Sequence, residues 1–220
     1  VVALLRAEDF PMRLGEWREF PARQVINPLL ACLCSPERVL KWHAVTAIGV
    51  VVATLADADR ESARVIMRRL IWTLNDESGG IGWGAPEAMG EILASHEVLA
   101  GEYYRILLSY IREDGNRLEN PILQRGVLWG LARLAETRPH LLEDAPVHVF
   151  PFLHSPDAAT RASALRLLGL VGKEFVRPQV ELLINDAAET DLYVDACERR
   201  VRVAAVAADA LERLARPGAG

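Results

Sequence analysis

SPERVLKWHAVTAIG, from Ser35 to Gly49, and SPDAATRASALRLLG, from Ser155 to Gly169, keep one pattern in register while sharing little else. Each reads Ser-Pro-acid, then a base four residues after the acid (Glu37 and Lys41, Asp157 and Arg161), a small residue three later (Ala44, Ala164) and a glycine five beyond that (Gly49, Gly169). Two stretches related in this way read as copies of one structural unit, and units of this size stack on one another because none can bury its own apolar face.

Carrying the register outward finds five copies, with Lys41, Gly82, Arg125, Arg161 and Arg202 in equivalent places at spacings of 41, 43, 36 and 41 residues. Small or apolar residues follow each: Ala44, Ala85, Leu128, Ala164 and Ala205, then Ala47, Ala88, Leu131, Leu167 and Ala208. The acid recurs as Glu198 in the fifth copy, and Ser78 and Pro121 replace it in the second and third. Each unit reads as two helices. Ser35 and Ser155 suit the N-cap of the second, Pro36 and Pro156 its first helical position, and Glu37 and Asp157 its dipole. The periodicity predicts first helices at 22–33, 59–74, 98–112, 140–152 and 174–184, and second helices at 36–56, 83–95, 119–136, 157–171 and 197–215. Strand signal is confined to Thr190 to Val194, read as a small hairpin or a loop within the acidic excursion from Asn185 to Asp195.

Helix pairs repeating at this period, with an acid opening the second helix, a base one turn later and small residues at packing positions, resemble the HEAT family, most closely its short phycobilisome-lyase-like subtype. The resemblance covers residues 21–216. It implies an all-α, right-handed α-solenoid of five helix-pair repeats behind an N-terminal segment, 1–20, with repeats at 21–57, 58–97, 98–137, 138–172 and 173–216. It also implies an acid-base ladder between neighbouring repeats, carried here by Glu37, Lys41, Asp157, Arg161, Glu198 and Arg202.

Composition narrows the function. The 220 residues are 51% hydrophobic and 25% charged with a net charge of -5, so nothing draws the chain to phosphate backbones and nucleic acid is excluded as a partner. Only two of the 25 basic side chains are lysines, which suggests a GC-rich bacterial genome. The cysteines, Cys32, Cys34 and Cys197, read as reduced and mostly buried, which suits a cytoplasmic location. The longest nearly apolar run, Ala44 to Ala56, has 13 residues against the roughly 20 of a spanning helix, so no membrane segment is expected.

Candidate chemistry is sparse. SGGIGWG (Ser78 to Gly84) lacks the preceding strand and the closing Gly-Lys-Ser/Thr of a phosphate cradle. His96-Glu97 invites comparison with the HEAT-like deoxyhypusine hydroxylases, which bind two irons through His-Glu pairs on successive repeats; this chain has one such pair, so no metal, cofactor or catalytic residue is assigned. His140, His148 and His154 lack the one-turn spacing of helical zinc sites. The tryptophans say more. On a helical wheel the apolar residues Leu40, Ala44, Ala47, Ile48 and Val51 cluster near roughly 285 degrees, and Trp42 falls near roughly 100 degrees, opposite them. Trp83 holds the same place in the second repeat. The expected partner-binding set is therefore Trp42, Thr46, Trp83, Glu87, Gly90, Gly126 and Gly130, two aromatics beside a shelf of glycines on the concave face, with packing between adjacent second helices as the other reading of the tryptophans. The function expected is a non-catalytic scaffold for a protein or peptide; the alternative is an enzyme or enzyme subunit acting on a protein, hydroxylase-like or lyase-chaperone-like.

Overall fold

The computed structural model describes residues 1–75 and 82–215, and its chain divides into two compact units, Val1–Tyr104 and Arg105–Gly220. Most of the Gly-rich run, from Ser78 to Ile81, lies outside the described residues. The first unit holds α1 (Val2–Leu5), a 3-10 segment (Phe10–Arg18), α2 (Ala22–Cys32), α3 (Arg38–Ala58), α4 (Arg60–Asn75), α5 (Ala85–Ser95) and most of α6 (Glu97–Ser109). The second holds α7 (Pro121–Ala135), α8 (Pro146–Val149), α9 (Ala158–Val171), α10 (Arg177–Glu181), the strands β1 (Glu189–Val194) and β2 (Cys197–Arg202), and α11 (Val203–Ala215). The boundary falls inside α6, within the expected third repeat, and residues 1–20 belong to the first unit rather than standing apart.

The two stretches that opened the sequence reading are the central helices of the two units. In the first, α3 packs against α1, α2, α4, α5 and the 3-10 segment; in the second, α9 packs against α7, α8, α11 and β1. Ala44 and Ala164, the equivalent small residues, are fully buried. By length and composition α3 could cross a membrane, more than the 13-residue run suggested, yet Val45, Ala47, Ile48 and Val52 are wholly buried against its neighbours as core side chains. His43 ties the N-terminal segment to this helix. Its ring stacks on Phe10 at 3.9 Å, and its Nδ1 lies 2.6 Å from the Leu5 carbonyl, an acceptor that requires the Nδ1-protonated tautomer or the imidazolium.

The shared glycines mark the closest helix crossings. A Cβ on Gly49 would stand 2.6 Å from Cγ of Glu91 on α5, and one on Gly169 would stand 2.9 Å from the Cα of Ala210 on α11. Hydrogen there lets the neighbouring second helix pass almost in backbone contact.

Several elements depart from the sequence reading. The second helices of the first and fourth repeats begin at Arg38 and Ala158, two and one residues late, and their caps are Glu37 and Asp157 rather than the serines. Ser35 and Ser155 instead accept the amides of Glu37 and Asp157, at 3.1 and 3.2 Å, in turns ahead of the helices. The expected first helix at 140–152 is broken into a 3-10 turn, α8 and a second 3-10 turn, with Pro139, Pro146 and Pro151 at the piece starts. The fifth second helix starts at Val203, because residues 197–202 pair with β1 as the second strand of an antiparallel hairpin. Glu198 and Arg202 are therefore strand residues. Ala205 and Ala208, expected at packing positions, are exposed, and Ala207 and Ala210 are buried in their stead. Of the cysteines only Cys32 is buried; Cys34 and Cys197 are exposed, and all three are free thiols.

Two substitutions test this packing. Alanine is intrinsically better than glycine inside a helix by about 1 kcal/mol, so Gly101→Ala on α6, where a Cβ meets nothing within 4 Å, should raise stability. Gly169→Ala should lower it by about 1 to 3 kcal/mol in spite of that preference, because the new methyl meets backbone. Denaturant melts of the two variants decide the matter, and a stabilised Gly169→Ala protein would refute the close crossing. The hairpin turn supplies a second test: Asp195 and Ala196 have φ of 53° and 56°, a left-handed pair that only glycine adopts freely. Ala196→Gly should stabilise by about 0.4 to 1 kcal/mol in the same melts.

Candidate functional site

Within each unit, charged side chains connect successive repeats in an offset series. Lys41 Nζ lies 2.7 Å from Glu87 Oε1, joining α3 to α5, with side chains 21% and 6% exposed. Arg125 on α7 reaches Asp157 at the start of α9 at 3.3 Å. Arg161 on α9 reaches Asp186, ahead of the hairpin, at 2.7 Å, and also donates to the carbonyls of Ser155 and Pro156. Glu37 is met by Arg6 at 2.7 Å. Each base thus meets an acid from the following repeat, and Lys41 and Arg161 do so in preference to Glu37 and Asp157 one turn earlier. Glu198 and Arg202 lie on β2 rather than at a helix start, and Arg202 comes within 3.9 Å of Glu189 on β1.

Burial of Asp157 opposes its ionisation, but the Thr160 hydroxyl at 2.7 Å, the Arg125 charge and backbone amides outweigh it and hold the carboxyl below the usual range. The Asp186 carboxyl is lowered too, first by its hydrogen bond from Arg161 and further by the amide of Ala188 at 2.9 Å.

The expected aromatic patch is only partly on the surface. Trp42, on the first turns of α3, is half-buried, with Lys41 Nζ 5.1 Å from its ring centroid. Trp83 is also half-buried, but it occupies the turn before α5 rather than the helix, so the two tryptophans are not at equivalent helical positions. Thr46 is buried and donates back to the Trp42 carbonyl at 3.3 Å. Glu87 is buried and occupied by Lys41. The glycine shelf is not exposed: every residue of α5 from Ala85 to Ala94 is buried, Gly90 included, and Gly126 and Gly130 are buried on α7 in the second unit. Between them Trp129 is buried and donates its indole N–H to the Tyr193 carbonyl at 2.8 Å, fastening β1 to α7.

The most exposed tryptophan was missed. Trp72 on α4 is 72% exposed, opposite a buried stripe of Ala63, Ile66, Met67, Leu70 and Leu74. The same wheel that singled out Trp42 would have found it.

His96 works as a cap. Its Nδ1 accepts the Leu99 amide at 3.2 Å at the start of α6, and its Nε2 lies 3.4 Å from Asp57, while Glu97 is exposed. Among the described residues no three His, Cys, Asp or Glu side chains converge on a point that could hold a metal ion.

No protein-family model matches the chain, and no curated protein does. Among solved structures it is similar to a designed armadillo repeat protein in complex with the peptide (KR)4, at 16% identity and a TM-score of 0.55, over 97% of either chain. It is also similar to a computationally designed armadillo repeat protein for modular peptide recognition, at 17% identity and a TM-score of 0.51, over 96% of this chain and 97% of that one. An engineered protein matches at 17% identity and a TM-score of 0.52, over 97% and 94%. The fold is accordingly an all-α solenoid of armadillo-like helical repeats, with one hairpin set into its last repeat.

The Arg161–Asp186 link gives a pH test. A carboxyl whose folded pKa is depressed stabilises the fold above its unfolded pKa, near about 3.9, and that contribution is lost as pH falls through the lower folded value. Asp186→Asn should therefore cost about 1 to 2 kcal/mol at pH 7, and the gap from the unaltered chain should close below about pH 4. Urea melts across that range are the measurement; a gap independent of pH would mean that the charge of Asp186 is immaterial.

Proposed function

We propose that the chain is a non-catalytic scaffold that binds a peptide or an extended segment of another protein, with Trp42 and Trp83 of the first unit as its contacts. The observation that carries this reading is the immobilised setting of Trp42. Its ring stands beside Lys41, and Lys41 is fixed by the buried Glu87 at 2.7 Å. A large aromatic held in place by the fold loses little freedom on binding, which is the usual character of an interface anchor. The peptide-bound designed repeat protein of the same fold supports the partner class, and the net charge of -5 disfavours nucleic acid. Thr46, Glu87, Gly90, Gly126 and Gly130 are buried and offer no exposed contact to a partner.

The test is selection from a displayed random-peptide library against the unaltered chain, followed by affinity measurement with Trp42→Ala, Trp83→Ala and Trp72→Ala. A contact tryptophan should lose at least about 2 kcal/mol of binding when truncated while melting almost unchanged. Trp129→Ala, at a buried position, should instead lose about 3 to 5 kcal/mol of fold stability. Selected peptides that depend on Trp72 and ignore Trp42 and Trp83 would move the binding surface to α4 and overturn the assignment.

A further inference from the structure

The hairpin of the second unit roofs a cleft of about 330 Å³. The antiparallel register sets Leu192 opposite Arg199 and Thr190 opposite Val201, so Leu192, Val194, Arg199 and Val201 share one face of the hairpin, as the alternation of a strand requires. All four line the cleft, and Leu170 of α9 and Val206 of α11 complete its hydrocarbon wall.

The ionised groups on that wall are unequal. Arg166, Arg199 and Arg213 line it together with Glu136 and Asp209. Both acids are already engaged, Glu136 by Arg133 at 3.2 Å and by Arg166, and Asp209 by Arg213 at 2.8 Å. Arg199 is 59% exposed and finds its acid, Asp195, in the hairpin turn at 3.3 Å. The Arg166 side chain is only 12% exposed, and its Nη1 is shut off from solvent without a hydrogen bond. A buried donor left without an acceptor is a standing penalty of folding, and here it belongs to a cation beside an apolar cleft.

We propose that this cleft binds a short aliphatic carboxylate, with the hydrocarbon body between Leu170, Leu192, Val194 and Val206 and the carboxylate against Arg166. The apolar walls exclude a strongly hydrated ligand, and the excess of one positive charge among the lining groups excludes an ammonium. A carboxylate supplies the acceptor that Nη1 of Arg166 lacks, in a charge-assisted hydrogen bond stronger than one to a hydroxyl. Size agrees, since small-ligand sites begin at about 300 Å³ and are mostly apolar with few polar groups. The inference is independent of the peptide surface in the first unit.

Calorimetric titration of the full chain with sodium octanoate, 1-octanol and octylamine tests the proposal. Octanoate should bind saturably with a Kd below about 1 mM, and the alcohol and the amine at least about tenfold more weakly. Arg166→Met keeps the side-chain stem and leaves Glu136 to Arg133; it should weaken octanoate at least about tenfold, as should Val206→Trp, which fills the cleft from a half-exposed position. Absence of saturable octanoate binding, octanol binding as tightly as octanoate, or full affinity in both variants would overturn it. Should either variant fail to fold, the comparison of octanoate with octanol on the unaltered chain still decides.

Discussion

The closeness with which one second helix passes the next is the constraint from which the rest of each unit follows. Gly49 against Glu91 and Gly169 against Ala210 are approaches that no side chain survives unshifted. With α3 and α5 so near, and α9 and α11 likewise, the residues flanking each glycine have to be small or snugly apolar: Ala44, Ala47 and Ile48 in one case, Ala164, Leu165 and Leu168 in the other, all wholly buried. A helix pair of about 40 residues cannot bury such a face alone, which is why the neighbour is part of the fold and not an accessory to it.

The charged series acts on the same contact from its edge. Had Glu37 paired with Lys41, and Asp157 with Arg161, each pair would have been an ordinary one-turn interaction worth a few tenths of a kcal/mol. Reaching forward to Glu87 and Asp186 instead, Lys41 and Arg161 fix the longitudinal register between successive elements. Much of the Coulomb gain in such sheltered pairs is offset by desolvation, so their effect is specificity of register more than net stability. At the corresponding place in the second copy stands Gly82, which carries no charge.

The second helices were legible because their signals are redundant: a proline near the start, an acid, small residues at fixed spacing and a glycine. What escaped did so for particular reasons. Ser-Pro-Glu and Ser-Pro-Asp look like a serine cap followed by a first turn, yet the serine oxygens bond two residues forward and the acid takes the N-cap position, where Asp157 accepts the Thr160 amide and Glu37 makes no capping bond. The segment from Glu198 to Arg202 carries an acid and a base at helical spacing, so it fitted both periods, and its turn, Asp195-Ala196, lacks the glycine that announces a hairpin. The glycine shelf failed because a wheel describes one helix's faces and cannot show that a short central helix such as α5 is covered all round. Trp72 stands on α4, a first helix, and the shared pattern of acid, base, small residue and glycine belongs to the second helices.

The hairpin shows how one strand can hold two tasks apart. Successive side chains of β1 point to opposite faces: Tyr193, 3% exposed, sits against Trp129, while Leu192, 6% exposed, faces the cleft. On β2 the same alternation sends Arg199 to the cleft side and leaves Arg200 with Glu189 and Asp191 on the other. A slip of one residue would exchange the faces, bringing Arg200 toward the apolar walls and Tyr193 away from Trp129. The two-residue turn closing on the Val194–Cys197 pair prevents that slip, at the expense of a left-handed alanine. The strain at Ala196 and the chemistry of the cleft are thus one design: the turn sets the register, and the register decides which arginine meets the hydrocarbon.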